Sequence, residues 1–360
     1  MQTDRNFKTL PKMLHVMDSG AFTDRFKGIS KEELVTWKEK EREVLSAVTG
    51  VKKLLDIANK ELSKDFKFKY EVLDVEKPES GIIRKKVLLT IDADTCIPMY
   101  VVEPRESIKG TFLALSGHQS GGKAAVAGVR DDTKVAERID FYNYDYGLKL
   151  ARLGFVAICP DPRGFGERRD LEFQPEDLLS CTCRNISNMA IPMGLSVIGL
   201  NVYDLIRIID FIYESKKWDT QNLGCLGFSG GGMQALFLSA IDERVKMTFI
   251  SGYMYGYRES LMELHNNCSC NYVPGLWEKL DMGDIGSLIA PRPLFIQSSR
   301  DDHLNGKRGI ENVNAQVEII RKAYELMGSS DALSHDIREG DHHFYDEPLG
   351  ETIDSFLKRQ

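Results

Sequence analysis

The residues best suited to chemistry are Gly227-Phe228-Ser229-Gly230-Gly231, which fit the pattern G-x-S-x-G. They stand between the apolar run LGCLGF and the helix-like run MQALFLSAI. A serine forced into a tight strand-to-helix turn has a strained backbone and projects its hydroxyl from the sheet. Glycines flank it because side chains would clash there. The plainer reading is a glycine-rich turn that closes the fold or receives a phosphate on the helix N-terminus. The partners available elsewhere in the chain favour the nucleophile.

A serine hydroxyl is a weak nucleophile at neutral pH and needs a base within hydrogen-bond reach. Of the seven histidines, His342 and His343 lie in a loop after the last expected strand, in Glu339-Gly340-Asp341-His342-His343-Phe344. His342 fits a Gly-x-His-x-Phe arrangement and is preferred over His343. The base in turn needs a carboxylate to hold its tautomer and stabilise its charged form. Asp301 and Asp302, in Ser298-Ser299-Arg300-Asp301-Asp302 after the strand-like PRPLFIQ, both qualify. The chain order is then Ser, Asp, His. A tetrahedral intermediate also needs donors for its oxyanion, each worth about 3 kcal/mol. The Gly230 N–H is one expected donor, and the N–H of His118 or Gln119, in SGHQSGGK, is the other. His118 reads as a loop histidine, since no second metal ligand lies at helical or hairpin spacing from it.

The elements that must position these groups follow from periodicity. Apolar residues recur at three- and four-residue spacing from Lys31 to Lys64, and Ser30 with Glu33 forms a capping-box start. This predicts a helical N-terminal extension over residues 1–64. From residue 65 to 360 the runs FKYEVLDV, RKKVLLTI and IPMYVVEP predict an antiparallel edge. GTFLALSG, GFVAICPD, LGCLGFSG, VKMTFISG, PRPLFIQSS and LSHDIREG then alternate with helix-like stretches. Apolar strands alternating with helices predict an α/β catalytic domain whose mostly parallel sheet is covered on both faces.

The formal charge of −7, from 54 acidic and 47 basic residues with no basic run, argues against nucleic acid as a partner. No apolar run approaches membrane-spanning length, so no membrane is expected either, and the missing signal-peptide pattern makes the cytoplasm the expected location. G-x-G-x-x-G is absent from the first strand-to-helix turn, and SGGK lacks the full phosphate-loop pattern. No cofactor and no metal are expected. Among the seven cysteines, Cys96, Cys159 and Cys225 read as core thiols. The pairs Cys181-Thr-Cys183 and Cys268-Ser-Cys270 read as structural thiols near the site rim. A disulfide or a four-thiolate zinc site are the alternatives, although structural zinc cysteines are more often spaced two to four residues apart. The charged run PDPRGFGERRD reads as a loop held by internal ion pairs, and Tyr253, Tyr255 and Tyr257 as core or rim packing.

The runs SGHQSGGK, YGLKLARLGFVAICPDPRGFGERRD, GFSGGG and NYVPGLWEKLDMGDIGSLIAPRPLFI together resemble α/β-hydrolases related to dienelactone hydrolase. More narrowly they resemble the acetyl xylan esterase-like branch, from about residue 80 to the C-terminus. The resemblance implies an α/β-hydrolase fold and a triad of Ser229, Asp301 and His342, with Asp302 as the alternative acid. It also implies an oxyanion hole at Gly230 and the Gly117–Gln119 loop. Ser116 stands where many relatives have histidine, and Ser298 where the acid loop often has glycine, which blurs the choice of aspartate. The implied activity is hydrolysis of short-acyl esters, acetyl foremost, of a sugar or other small alcohol. The partner is then a small-molecule ester, with homo-oligomerisation left open. A peptidase or a lactone or C–C bond hydrolase is the alternative on this fold. A non-catalytic binding protein would be expected to lack the serine or the histidine.

Overall fold

A computed structural model describes residues 8–61, 66–170, 177–264 and 267–359. Nine strands form one sheet: β1 (Lys69–Glu79), β2 (Ile82–Thr90), β3 (Cys96–Pro104), β4 (Gly110–Leu115), β5 (Phe155–Pro160), β6 (Leu223–Phe228), β7 (Met247–Ser251), β8 (Leu294–Ser299) and β9 (Leu333–Arg338). Their spatial order is β1-β2-β3-β5-β4-β6-β7-β8-β9. The first three strands pair antiparallel with their neighbours, as does β3 with β5, and every later pairing is parallel. Strands β4, β5, β6 and β7 are buried along their whole length, which is why they read as unbroken apolar runs.

The chain steps from β4 to β5 on one side and returns to β6 on the other, so the strand order reverses at β4. In open α/β sheets that reversal opens a crevice outside the carboxyl ends of the strands. Helices cover both faces. Val197–Ser215, Gly230–Ile241 and Ile310–Leu326 enclose one apolar core, and Thr133–Tyr142, Tyr146–Arg152 and Leu349–Leu357 the other.

The N-terminal region forms helices Leu10–Gly20, Lys31–Thr49 and Val51–Glu61. The capping box is present, with Ser30 Oγ accepting from Glu33 N at 3.2 Å and Glu33 Oε2 accepting from Ser30 N at 3.1 Å. The expected single helix over 31–64 is divided instead, because Gly50 adopts φ 87° in the left-handed region. Residues 62–64 of that expectation lie outside the described residues.

Leu34, Leu45 and Val51 are fully buried in the first core, so these helices pack on the sheet domain. They also reach its central helix, where Arg42 Nε donates to Ala240 O at 3.0 Å; Arg292, just before β8, donates from Nη2 to Ser239 O at 2.5 Å. Both acceptors sit in the last turn of Gly230–Ile241, where cations offset the negative end of the helix dipole. Nearby, Lys38 donates to Ala290 O, and burial lowers its pKa to about 8. No described helix is long and apolar enough to cross a membrane.

Candidate active site

Strand β6 ends at Phe228, and the helix Gly230–Ile241 begins two residues later, leaving Ser229 as the whole turn. Its backbone sits at φ 57°, ψ −121°, a region that ordinarily costs about 1–3 kcal/mol for a residue with a side chain. The surroundings over-determine that conformation. Ser229 N donates to Ser251 O at 2.9 Å, and Met233 N donates to Ser229 O at 3.0 Å. The flanking glycines are required by space. A Cβ at Gly227 would lie 2.1 Å from Gly231 O, and one at Gly231 would lie 1.9 Å from Leu115 O.

His342 reaches the same cavity from the loop after β9. Its ring packs against Phe228 with centroids 4.5 Å apart, and its side chain keeps 11% exposure. Nδ1 donates to Asp302 Oδ2 at 2.6 Å. This corrects the expected pairing with Asp301. Asp301 N donates to Gly340 O at 3.0 Å, and its side chain is exposed. Arg300 and Asp301 form a turn beyond the end of β8, and Asp302, extended at φ −60°, ψ 115°, carries its side chain inward. Asp302 is 5% exposed, and its Oδ1 accepts from Leu304 N at 2.9 Å. His343 lies against Phe141 and Tyr142, with ring centroids 5.0 and 5.7 Å away, and does not meet either aspartate.

Gln297 of β8 clamps the loop that carries His342. Its Oε1 accepts from Tyr345 N at 2.9 Å and from Ser251 Oγ at 2.9 Å, while its Nε2 donates to Tyr345 O at 2.9 Å. Asn143 adds a bond from Nδ2 to Phe344 O at 2.9 Å. Neither residue was singled out from sequence. The signal available was one amide inside the apolar run PRPLFIQ, where a buried polar group must find partners.

The loop after β4 closes on the serine from the other side. A Cβ at Gly117 would lie 2.6 Å from Phe228 O, so only glycine permits that approach. Ser120 Oγ donates to Gly117 O at 2.8 Å, and Tyr144 Oη donates to His118 O at 2.8 Å. Gln234 Nε2, on the central helix, donates to Ser116 O at 3.0 Å. Gln119 takes φ 56° and is exposed at the cavity. Gly230 opens its helix, so its N–H has no intrahelical acceptor and faces the turn. His118 is partly buried, with Nε2 3.2 Å from Cys270 Sγ. It lies on the loop after β4, as expected, but beside a cysteine that spacing did not reveal.

The resulting cavity, about 540 Å³, contains Ser229 and His342 with His118, Gln119, Tyr142 and Arg184 on its walls. The charged run after β5 stays out of it. Arg163 Nη2 and Arg168 Nη1 each lie 2.7 Å from Asp204, while Asp161 accepts from Lys123 N at 2.7 Å and Lys123 Nζ at 2.6 Å. Internal ion pairs thus hold this loop, as expected. Tyr253, Tyr255 and Tyr257 are buried in the core. Cys159 and Cys225 are core thiols, but Cys96 is exposed at the start of its strand.

A family model described as the Abhydrolase family matches residues 93–345, a span that includes the serine turn and both loops facing it. The chain belongs to the Abhydrolase family. Within it, the chain is similar to YtaP of Bacillus subtilis (strain 168), described as a hydrolase. The two are 24% identical over 295 residues, covering 80% of this chain and 91% of that protein. In fold, this hydrolase-family chain is similar to a Bacteroides fragilis protein described as an acetyl xylan esterase. That match has a TM-score of 0.70 at 16% identity over 97% of this chain and 86% of the other. A glucuronoyl esterase from Solibacter usitatus matches with a TM-score of 0.63 at 16% identity, over 93% of this chain and 96% of that one. These likenesses show that the nine-stranded sheet has the α/β-hydrolase fold, as the motifs had implied.

Proposed function

We propose that the chain is a serine esterase that hydrolyses short-acyl esters, acetyl foremost, of a sugar or other small polar alcohol. The observation that carries this reading is the 2.6 Å bond between His342 Nδ1 and Asp302 Oδ2 beside the strained Ser229 turn. With Nδ1 committed to a carboxylate, Nε2 is the nitrogen left to take a proton. Ser229 Oγ attacks the ester carbonyl while His342 accepts its proton. His342 then protonates the departing alkoxide oxygen, leaving an acyl-serine. A water repeats the sequence, His342 taking its proton as it attacks, and the carboxylic acid leaves. The N–H groups of Gly230 and of His118 or Gln119 are the oxyanion donors in this scheme.

The polar walls and the cation at Arg184 suit a sugar-sized, hydrogen-bonding substrate better than a long acyl chain. The names of the similar solved structures, acetyl xylan and glucuronoyl esterases, support the same class.

The test is a panel of nitrophenyl esters of rising acyl length, with acetylated xylose and a methyl ester of glucuronate, on the parent chain and on Ser229→Ala. Activity should fall steeply beyond propionyl, and the variant should lose on the order of 10⁵-fold or more in kcat. Retained turnover in Ser229→Ala, or no labelling of the parent by a fluorophosphonate, would remove the serine mechanism.

A further inference from the structure

Behind the oxyanion loop, one ring nitrogen of His118 and the sulfurs of Cys183, Cys268 and Cys270 all lie within 4.8 Å of one another. We propose that these four side chains form a tetrahedral zinc site, which ties together three loops around the catalytic cavity.

Tetrahedral zinc, with bonds of about 2.3 Å to sulfur and 2.0–2.1 Å to nitrogen, sets its ligand atoms roughly 3.3–3.8 Å apart. His118 Nε2 and Cys270 Sγ are already 3.2 Å apart. Three thiolates and an imidazole form a donor set that suits zinc over harder cations. Cys183 and Cys270 are 0% and 2% exposed, so the ion would be shielded from water on that side. A supporting shell is also present. Asn271 Nδ2 lies 3.7 Å from Cys270 Sγ, and its Oδ1 accepts from Tyr253 Oη at 2.8 Å, an orientation that supports a thiolate.

The C-x-C spacing looked unfavourable because structural zinc sites usually place two to four residues between their cysteines. Here the backbone is not a strand. Cys268 is extended at φ −60°, ψ 145°, and Ser269–Asn271 then makes a single 3-10 turn that folds Cys270 back. Cys183 opens the helix Cys183–Ala190 after Thr182 at φ −101°, ψ 23°. The fourth ligand comes from the loop after β4. Cys181 stands beside the set as a further thiol, its sulfur 3.9 Å from that of Cys268.

Binding of Zn²⁺ releases the three thiol protons to solvent and leaves a complex of net charge −1, with no change in oxidation state. It also assigns a role to His118. With Nε2 on the metal, the remaining proton sits on Nδ1, the atom that a Cβ at Gly230 would approach to 2.6 Å. His118 is thus a positioning residue, holding the oxyanion loop against the residue that follows Ser229. The inference concerns metal binding and stands whether or not the esterase reading does.

The test is metal analysis of the full chain, expressed with added zinc and dialysed against metal-free buffer. About one zinc per chain is expected, as for a structural site. Zinc should fall to background in Cys183→Ser/Cys270→Ser and persist in Cys159→Ser. Cobalt(II) added to the chelated protein should give thiolate-to-metal charge transfer and the intense visible bands of a tetrahedral ion. If the double variant fails to fold, the parent's zinc stoichiometry and cobalt spectrum decide. A zinc content below about a tenth of an equivalent after loading would overturn the site. So would a native peptide map with Cys183, Cys268 or Cys270 in a disulfide.

Discussion

The wall of the cavity that carries Asp302 and His342 grows out of paired strands, whereas the wall that carries Cys268 and Cys270 rests on irregular chain. On the first side, Arg300 N donates to Arg338 O and Asp301 N to Gly340 O just past the last β8–β9 pair, and Gln297 ties the His342 loop to β8. On the second side, the thiols arrive on a short turn and a helix start, where side chains such as Asn271 add to local backbone bonds. A strand end can hold a reacting group through backbone bonds that any sequence makes. An irregular wall must be held by particular side chains or by a ligand. That contrast is why the proposed reacting groups stand at strand ends, and why the proposed zinc site would serve as a cross-link opposite them.

The comparison can be broken most sharply at the aspartates. Asp302→Asn should lower kcat on the order of 10⁴-fold, because His342 would lose the partner that sets its tautomer. Asp301→Asn, a change on the surface, should stay within about twofold. Steady-state kinetics with a nitrophenyl acetate read both, and equal losses would undo the assignment of the inward side chain.

Gly231→Ala tests the serine turn itself. A Cβ 1.9 Å from Leu115 O must push two backbones apart, so the loss should be on the order of 3–5 kcal/mol in denaturant unfolding. Unchanged stability would mean that the elbow is looser than its spacing implies.

Gln297→Ala should cost roughly 1–3 kcal/mol by leaving Tyr345 N and Ser251 Oγ without their acceptor. It should also reduce kcat by about 10–100-fold with little change in KM, since it misplaces the base and not the substrate.

The smallest effect concerns acid stability. Burial lowers the His335 pKa from 6.5 to about 4, and Nε2 lies 3.2 Å from Ser298 Oγ. As pH falls through 6.5 the unfolded chain takes up this proton first, so stability declines between about pH 6.5 and 4 and levels off below. His335→Gln should flatten that part of the pH–stability curve, measured by urea midpoints. An unaltered slope would place the titration elsewhere.

Much of the fold was legible because its strands are either fully buried, hence apolar throughout, or paired at an antiparallel edge with alternating exposure. The helix break at Gly50 was readable as a terminator only after its left-handed backbone was known. Ser229 and its glycines were legible because they stand within five consecutive residues, Gly227–Gly231, where a strand turns directly into a helix.

By itself, then, the sequence determined the order of strands and helices, the serine turn, and a histidine loop after the last strand. Tertiary structure decided between Asp301 and Asp302, since the direction each side chain takes depends on the turn after β8 and its bonds to the chain after β9, which neighbouring residues do not encode. It also decided that His118, Cys183, Cys268 and Cys270, up to 152 residues apart, share one small volume. Short-range rules follow covalent neighbours, and a cluster drawn from three separate segments exists only once the sheet has brought those segments together.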